Sequence, residues 1–286
     1  MSSILDSSTR SIQVVGGANQ VTFTAPNIFT LRLPSSGFRT NKDECSLKSL
    51  TLYYSWPNIS SAMGNNSFSY NWNGASFPVV LADGIWNFSD IQSYLQQVML
   101  QNGHYLVDAS GNQQYYISIF ANSVLYALSL TVTPVPSSLP TGWSNPAGIA
   151  LFGKTPQLVI PSGLVTLTGF AAGSYPTVPQ TTLFQVNSGI PQISNVSSLN
   201  VTSTLCSSSG LSVFPNVLAS FVVPSDQAPG SLIQIQPTNL DWVRVQLAST
   251  FTEIEVAIVD QLMRPIVLRD NTGFVAIINV RRIPQL

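Results

Sequence analysis

Leu47-Lys48-Ser49-Leu50-Thr51-Leu52-Tyr53-Tyr54-Ser55-Trp56 decides the fold class. Leu50, Leu52, Tyr54 and Trp56 alternate with Ser49, Thr51, Tyr53 and Ser55, the two-residue period of a strand with one buried face. Pro57 ends the run. Working outward, Phe68, Tyr70 and Trp72 repeat the alternation, and Asn73-Gly74 supplies a hairpin turn before Phe77 to Leu81. Tyr115 to Phe120 and Val124 to Thr133 flank Ala121-Asn122-Ser123, a second hairpin candidate. Further short strands are expected at Gln157 to Ile160, Leu164 to Phe170, Leu183 to Val186, Val196 to Leu205 and Val217 to Val223. Near the C-terminus Ile233 and Ile235, then Val243, Val245 and Leu247, then Ile254, Val256 and Ile258 keep the period of two, and Phe274 to Val280 closes the series.

One segment departs from this pattern. Ile91, Leu95, Val98 and Met99 recur at helical spacing between Ser89 and Asn102. Ser89 with Gln92 fits a capping box, and Gly103 fits a left-handed stop. Prolines such as Pro161, Pro176, Pro191, Pro215, Pro224 and Pro229 separate most of the later strands. Many short strands with Pro/Gly turns and a single helix predict an all-β sandwich or barrel. Residues 1–43, rich in Ser, Thr and Gly and punctuated by Pro26 and Pro34, read as an extended N-terminal arm, and 44–286 as one domain.

Composition narrows the function. The chain has 286 residues, 44% of them hydrophobic and 8% charged, with 11 Lys+Arg against 12 Asp+Glu. Such hydrophobicity with so small a net charge excludes disorder. No basic block is long enough to neutralise a nucleic-acid backbone, so no specific nucleic-acid site is expected. Mean hydropathy is +0.25, yet no run approaches the roughly 18 apolar residues of a membrane-spanning helix. Met1 to Arg10 has no basic start followed by an apolar run, so no secretory signal is expected. The charges are also unevenly placed. Of the 117 residues between Asp108 and Asp226, only Lys154 is charged, where an ordinary domain carries about 25%. Neutral polar side chains cost less to desolvate than ions. Two readings fit: a β-protein from a lineage that favours uncharged polar residues, or a surface that packs against other subunits.

The chemistry-bearing residues are few. A Ser-His-Asp or Cys-His triad would need His104, the one histidine, as its base. It follows Gly103 beside Tyr105, which reads as a surface loop. Cys45, Cys206 and His104 lack zinc-ligand spacing, and the two cysteines read as isolated small hydrophobes, with a disulfide left open. Asp43-Glu44 are neighbours rather than a facing pair, and Glu253 and Glu255 share the outward face of a strand, so neither supplies the opposed carboxylates of a glycosidase. Asp260 reads as a turn cap. No phosphate-binding, dinucleotide or nucleophile-elbow motif occurs. Catalytic, cofactor-binding and metal residues are therefore all read as none, and the protein as not an enzyme. Asn-x-Ser/Thr triplets begin at Asn58, Asn65, Asn87, Asn195 and Asn200, as chance would give in so Asn- and Ser-rich a chain. Tyr53, Trp72, Trp143 and Trp242 suit either a sugar-stacking platform or subunit contacts, with Trp143 in a Pro-rich loop the best exposed anchor. Arg281 and Arg282, the one adjacent basic pair, read as a solvated tail.

The closing segment, Phe251 to Leu268, carries a resemblance. It is similar to the last hairpin of the penton or minor capsid proteins of virophages and polinton-like viruses, in which a strand ends in Asp-Gln and restarts after Arg-Pro. Asp260, Gln261, Arg264 and Pro265 match, while Leu262 and Met263 replace a Gly-containing turn. Asp83-Gly84-Ile85-Trp86 leading into Ser89-Asp90-Ile91 also resembles the family. The resemblance implies a single jelly-roll capsid protein with two four-stranded antiparallel sheets. It further implies a homo-pentamer at the icosahedral vertex, contacts with double jelly-roll major capsid proteins, and residence in the virion after synthesis in the infected-cell cytoplasm. Minor capsid or spike proteins are further partners it allows. Val14-Val15-Gly16-Gly17 is similar to sites cut by capsid-maturation proteases, although paired glycines in an arm also supply plain flexibility. The alternative function is a jelly-roll carbohydrate- or receptor-binding module.

Overall fold

The Leu47 to Trp56 stretch supplies most of an 11-residue strand, Asp43–Tyr53. Its buried side changes phase part-way: Cys45 and Leu47 face inward, then Leu50 and Leu52. A bulge at Lys48 causes the change, because Ile278 pairs with Leu47 while Ile277 pairs with Ser49. The extra residue turns its charged side chain outward and keeps four apolar residues in the core.

The computed structural model describes residues 9–25, 27–40, 43–194, 196–206, 216–223, 227–228, 230–245, 250–270 and 272–283. Leu247, Asn195, Asn271 and Pro26, Pro215, Pro224 and Pro229 lie outside the described residues. The chain divides into two compact units, Met1–Trp56 with Val196–Leu286, and Pro57–Asn195. No helix among the described residues is long and apolar enough to cross a membrane.

Two main sheets of the first unit are built on eight strands among the described residues. In chain order they are β1 (Arg10–Val15), β2 (Ile28–Arg32), β3 (Asp43–Tyr53), β4 (Ser198–Ser203), β5 (Val217–Val222), β6 (Leu232–Ile235), β7 (Glu253–Asp260) and β8 (Val275–Arg282). One sheet runs β1-β8-β3-β6 and the other β5-β4-β7-β2, and all neighbours are antiparallel. First strand beside last and second beside seventh is the wrapping of a jelly roll. The two four-stranded sheets match the sequence expectation. Each also carries one more strand, Val21–Ala25 beside β2 and Val243–Arg244 beside β3. Inward residues from both sheets form one core, including Val14, Phe29, Leu50, Val201, Ile254, Val256 and Ile278. Phe29 of β2 stacks on Phe274, which immediately precedes β8, with ring centroids 3.6 Å apart and planes 7° off parallel.

The expected domain boundaries are corrected. Within 1–43, read as an arm, β1 and β2 are two of the eight roll strands, because Val14 and Phe29 are fully buried and need partners on both sides. Gly16 and Gly17 form the turn that follows β1, and the Gly16 N–H donates to the Phe274 carbonyl. Within 44–286, Pro57–Asn195 is a second unit inserted between β3 and β4.

The inserted unit has its own core. A four-stranded sheet orders Gly173–Tyr175, Gln157–Ile160, Ser67–Trp72 and Ala75–Val80, and a three-stranded sheet orders Ile117–Asn122, Ala127–Val132 and Phe184–Asn187. Asn73 and Gly74 both take positive φ, 47° and 85°, as the Asn-Gly hairpin requires. Helix α1 (Phe88–Gln101) buries Ile91, Leu95 and Met99. Its capping box uses Asn87 and Asp90 rather than the expected Ser89 and Gln92. Asn87 Oδ1 accepts from both the Asp90 N–H and the Ser89 hydroxyl, which leaves Gln92 to accept from the Ile119 N–H at 2.6 Å. Leu164 to Phe170, expected as a strand, is a short helical turn, Ser162–Leu164 followed by Val165–Thr168. Gly169 stops it at φ 74°. A Cβ on Gly169 would lie 2.6 Å from the Gly189 carbonyl oxygen, so no other residue fits there.

Candidate functional site

His104 is not on the surface. It retains 7% of its exposure, stacks on Trp72 at 4.5 Å and meets Phe77 edge-on at 4.4 Å. The Asn102 side-chain amide donates to the Tyr70 hydroxyl at 3.1 Å, and the Tyr70 hydroxyl shares a hydrogen bond with His104 Nδ1, 2.8 Å away. Burial lowers the imidazole to about 4, and burial, partly offset by the Asn102 bond, raises the Tyr70 phenol to about 12. The ring is neutral, boxed by aromatics, and serves the core of the inserted unit.

The cysteines are neighbours rather than isolated residues. Cys45 on β3 and Cys206, just past β4, are fully buried with sulfurs 3.8 Å apart. Both are thiols. The hydrogen bond to Cys45, followed by burial, pushes the Cys206 thiol up. Among the described residues no cluster of three metal-ligating groups occurs.

The carboxylates are committed locally. Glu253 points outward from β7 and pairs with Arg32 at 3.5 Å across two exposed side chains. Asp260, 3% exposed, accepts from the N–H groups of Leu262 and Arg264, both at 2.8 Å, and from Arg264 Nε at 2.7 Å. This is the cap expected from the sequence. Met263 takes φ 60°, the position a glycine would otherwise fill. Glu44 holds Arg281 at 2.9 Å, and the Arg281 guanidinium lies 3.9 Å over the Trp242 ring. Arg281 is therefore anchored, not a solvated tail. Of the other aromatics, Trp72 is buried in the inserted unit, Trp143 is half-buried against the same core, and the ring of Tyr53 covers Gly273.

The triplet asparagines also serve the fold. Asn58 bonds the Trp86 and Ile193 carbonyls and the Trp86 N–H. Asn65 bridges Ser60 and Asn58, and Asn200 bonds the Asp260 carbonyl and accepts from Ser220.

What remains is surface. Pro57–Asn195 contains four charged residues, Asp83, Asp90, Asp108 and Lys154. Asp83 accepts from the Ser61 N–H and hydroxyl, and Asp90 closes the α1 capping box. The Asn112 N–H, with the Gln114 side chain and others, holds the Asp108 carboxyl below its ordinary range. All three carboxylates fix local backbone, and the surface around them is neutral. Its hairpin tip is apolar: Val124, Leu125 and Tyr126 are 84%, 54% and 76% exposed. Sequence reasoning found the ion-poor segment but not this tip, which it placed partly inside a strand.

No family model matches the sequence, and no curated protein matches it. Among solved structures the chain is similar to the mavirus penton protein, at 10% identity and TM-score 0.47, over 96% of this chain and 98% of that one. It is also similar to a chain of the Sputnik virophage, at 12% identity and TM-score 0.38, over 96% and 97%.

Proposed function

We propose that this chain is a structural capsid protein that closes a homo-pentameric ring at an icosahedral vertex and contacts double jelly-roll major capsid proteins around it. The observation that carries the reading is the surface of the inserted unit. Its few carboxylates are tied to its own backbone, and its exposed hairpin tip, Val124 to Tyr126, is apolar. A surface of neutral polar and apolar groups loses little on desolvation and gains on burial, which is what a permanent subunit contact needs. The jelly-roll order of the eight strands and the resemblance of Asp260, Gln261, Arg264 and Pro265 to the penton hairpin support the same reading. A ring is a head-to-tail interface whose rotation closes.

Mass measurement of the purified protein tests this directly. The expected product is five times the 30.8 kDa chain, seen as rings in negative stain, either alone or with the major capsid protein. Replacing Val124, Leu125 and Tyr126 by serine should weaken assembly and leave the far-ultraviolet circular dichroism unchanged. A monomer at every concentration, with or without capsid partners, would refute the proposal.

A further inference from the structure

A second feature lies on the jelly-roll unit and is of opposite electrostatic character. A cavity of about 310 Å³ is lined by Arg10, Arg39, Arg281 and Arg282, together with Phe38, Asp43 and Val280. The roll topology brings them together. Arg10 opens β1 opposite Val280, Arg281 and Arg282 close β8 opposite Glu44 and Asp43, and Arg39 sits on a two-residue strand paired with Thr250. Four of the chain's 11 basic residues therefore meet at one end of the first sheet in a protein of net charge −1.

The cations are not equally satisfied. Arg281 is held by Glu44 at 2.9 Å, and Arg282 lies 3.8 Å from Asp43. Arg10 and Arg39 are exposed and have no ion pair among the described residues. Among the described residues, therefore, two of the guanidiniums facing the cavity have no ion pair while the other two are each paired with a carboxylate. Like charges gathered in this way repel unless an anion joins them, and two surplus positive charges match a dianion better than a single carboxylate. Guanidinium forks fit phosphoryl oxygens in two-point contact.

We propose that this cavity binds phosphoryl oxygens, carried either by a free phosphate or polyphosphate or by the phosphodiester backbone of a nucleic acid. The contact is to the phosphate alone and reads no base sequence.

Two probes distinguish the sources. Inorganic pyrophosphate is titrated by calorimetry at low salt, and a 20-base-pair DNA duplex is followed by fluorescence anisotropy across a salt series. Arg10→Gln with Arg39→Gln breaks no ion pair among the described residues, so folding should be retained. Arg32→Gln, on the opposite sheet, removes a guanidinium paired with Glu253 and controls for loss of positive charge elsewhere. The double variant should lose at least about tenfold in pyrophosphate affinity, and Arg32→Gln less than about twofold. If the duplex is the ligand, its log–log salt slope should fall by about two in the double variant. Binding of pyrophosphate alone assigns the site to a free anion, and binding of the duplex assigns it to nucleic acid. The proposal is overturned if neither probe binds at millimolar concentration, if the double variant binds as the wild type does, or if Arg32→Gln loses as much.

Discussion

Acidification should weaken the inserted unit through its one histidine. His104 is held neutral at about 4 by burial among Tyr70, Trp72 and Phe77, whereas an unfolded chain protonates near 6.5. Between those values the unfolded state binds the extra proton, so stability falls as pH falls, starting near 6.5 and levelling off below about 4. Two and a half units correspond to about 3 kcal/mol in full, and about 2 kcal/mol is already lost at pH 5. Because His104 is the chain's sole histidine, its ring C–H resonances need no assignment and their titration reads the folded value directly. Urea midpoints at pH 7, 6, 5 and 4.5 give the stability side. The His104→Gln variant supplies the baseline, since it keeps every carboxylate and removes only the imidazole. The wild type should lose its margin over this variant as the pH drops through that window. A ring that titrates near 6.5 in the folded protein, or parallel pH profiles for the two proteins, would refute the argument.

Three further outcomes are expected. Phe274→Ala should cost about 3–5 kcal/mol by urea unfolding, because the ring is fully buried and stacked on Phe29. Asp260→Ala should cost about 2–3 kcal/mol, since it strands two turn N–H groups and the Arg264 guanidinium at once. Cys45 and Cys206 should react with Ellman's reagent at least about tenfold more slowly in the folded protein than in denaturant, because both are buried and the Cys206 thiol is pushed up. Rapid native labelling would show that the roll opens at β3.

Much of the fold is written in local pattern. Leu50 and Leu52, Ile254, Val256 and Ile258, and the Asn73-Gly74 turn carry their periods in plain view, and the structure keeps each of them. What local pattern could not supply is partnership over distance. Cys45 and Cys206 are 161 residues apart and meet only because β3 and β4 face the same core. His104 follows a glycine as a loop residue would, yet strands 67–72 and 75–80 close over it. Leu164 to Phe170 is apolar without a period, and only the left-handed Gly169 marks it as a helical turn. At α1, Asn87 and Ser89 both suit a cap, and Asn87 accepts from the Ser89 hydroxyl and the Asp90 N–H, a competition that residue type alone does not resolve. The boundaries at Trp56 and Asn195 have no linker composition. Their trace is the loss of ions, which followed the inserted unit without outlining it.

The pairing of Arg10 with Val280 and of Ile12 with Ile278 sets β1, the first strand of the roll, directly beside β8, its last. A ribosome releases β1, β2 and β3 long before β6, β7 and β8, which pair with them, while Pro57–Asn195 emerges as one uninterrupted stretch with its whole core in hand. The inserted unit can therefore mature co-translationally, while β1 and β3 wait without a strand partner and β2 has only Val21–Ala25 beside it. Completion of the roll awaits β8, and a nascent chain stalled before it leaves both β1 and β3 without that partner.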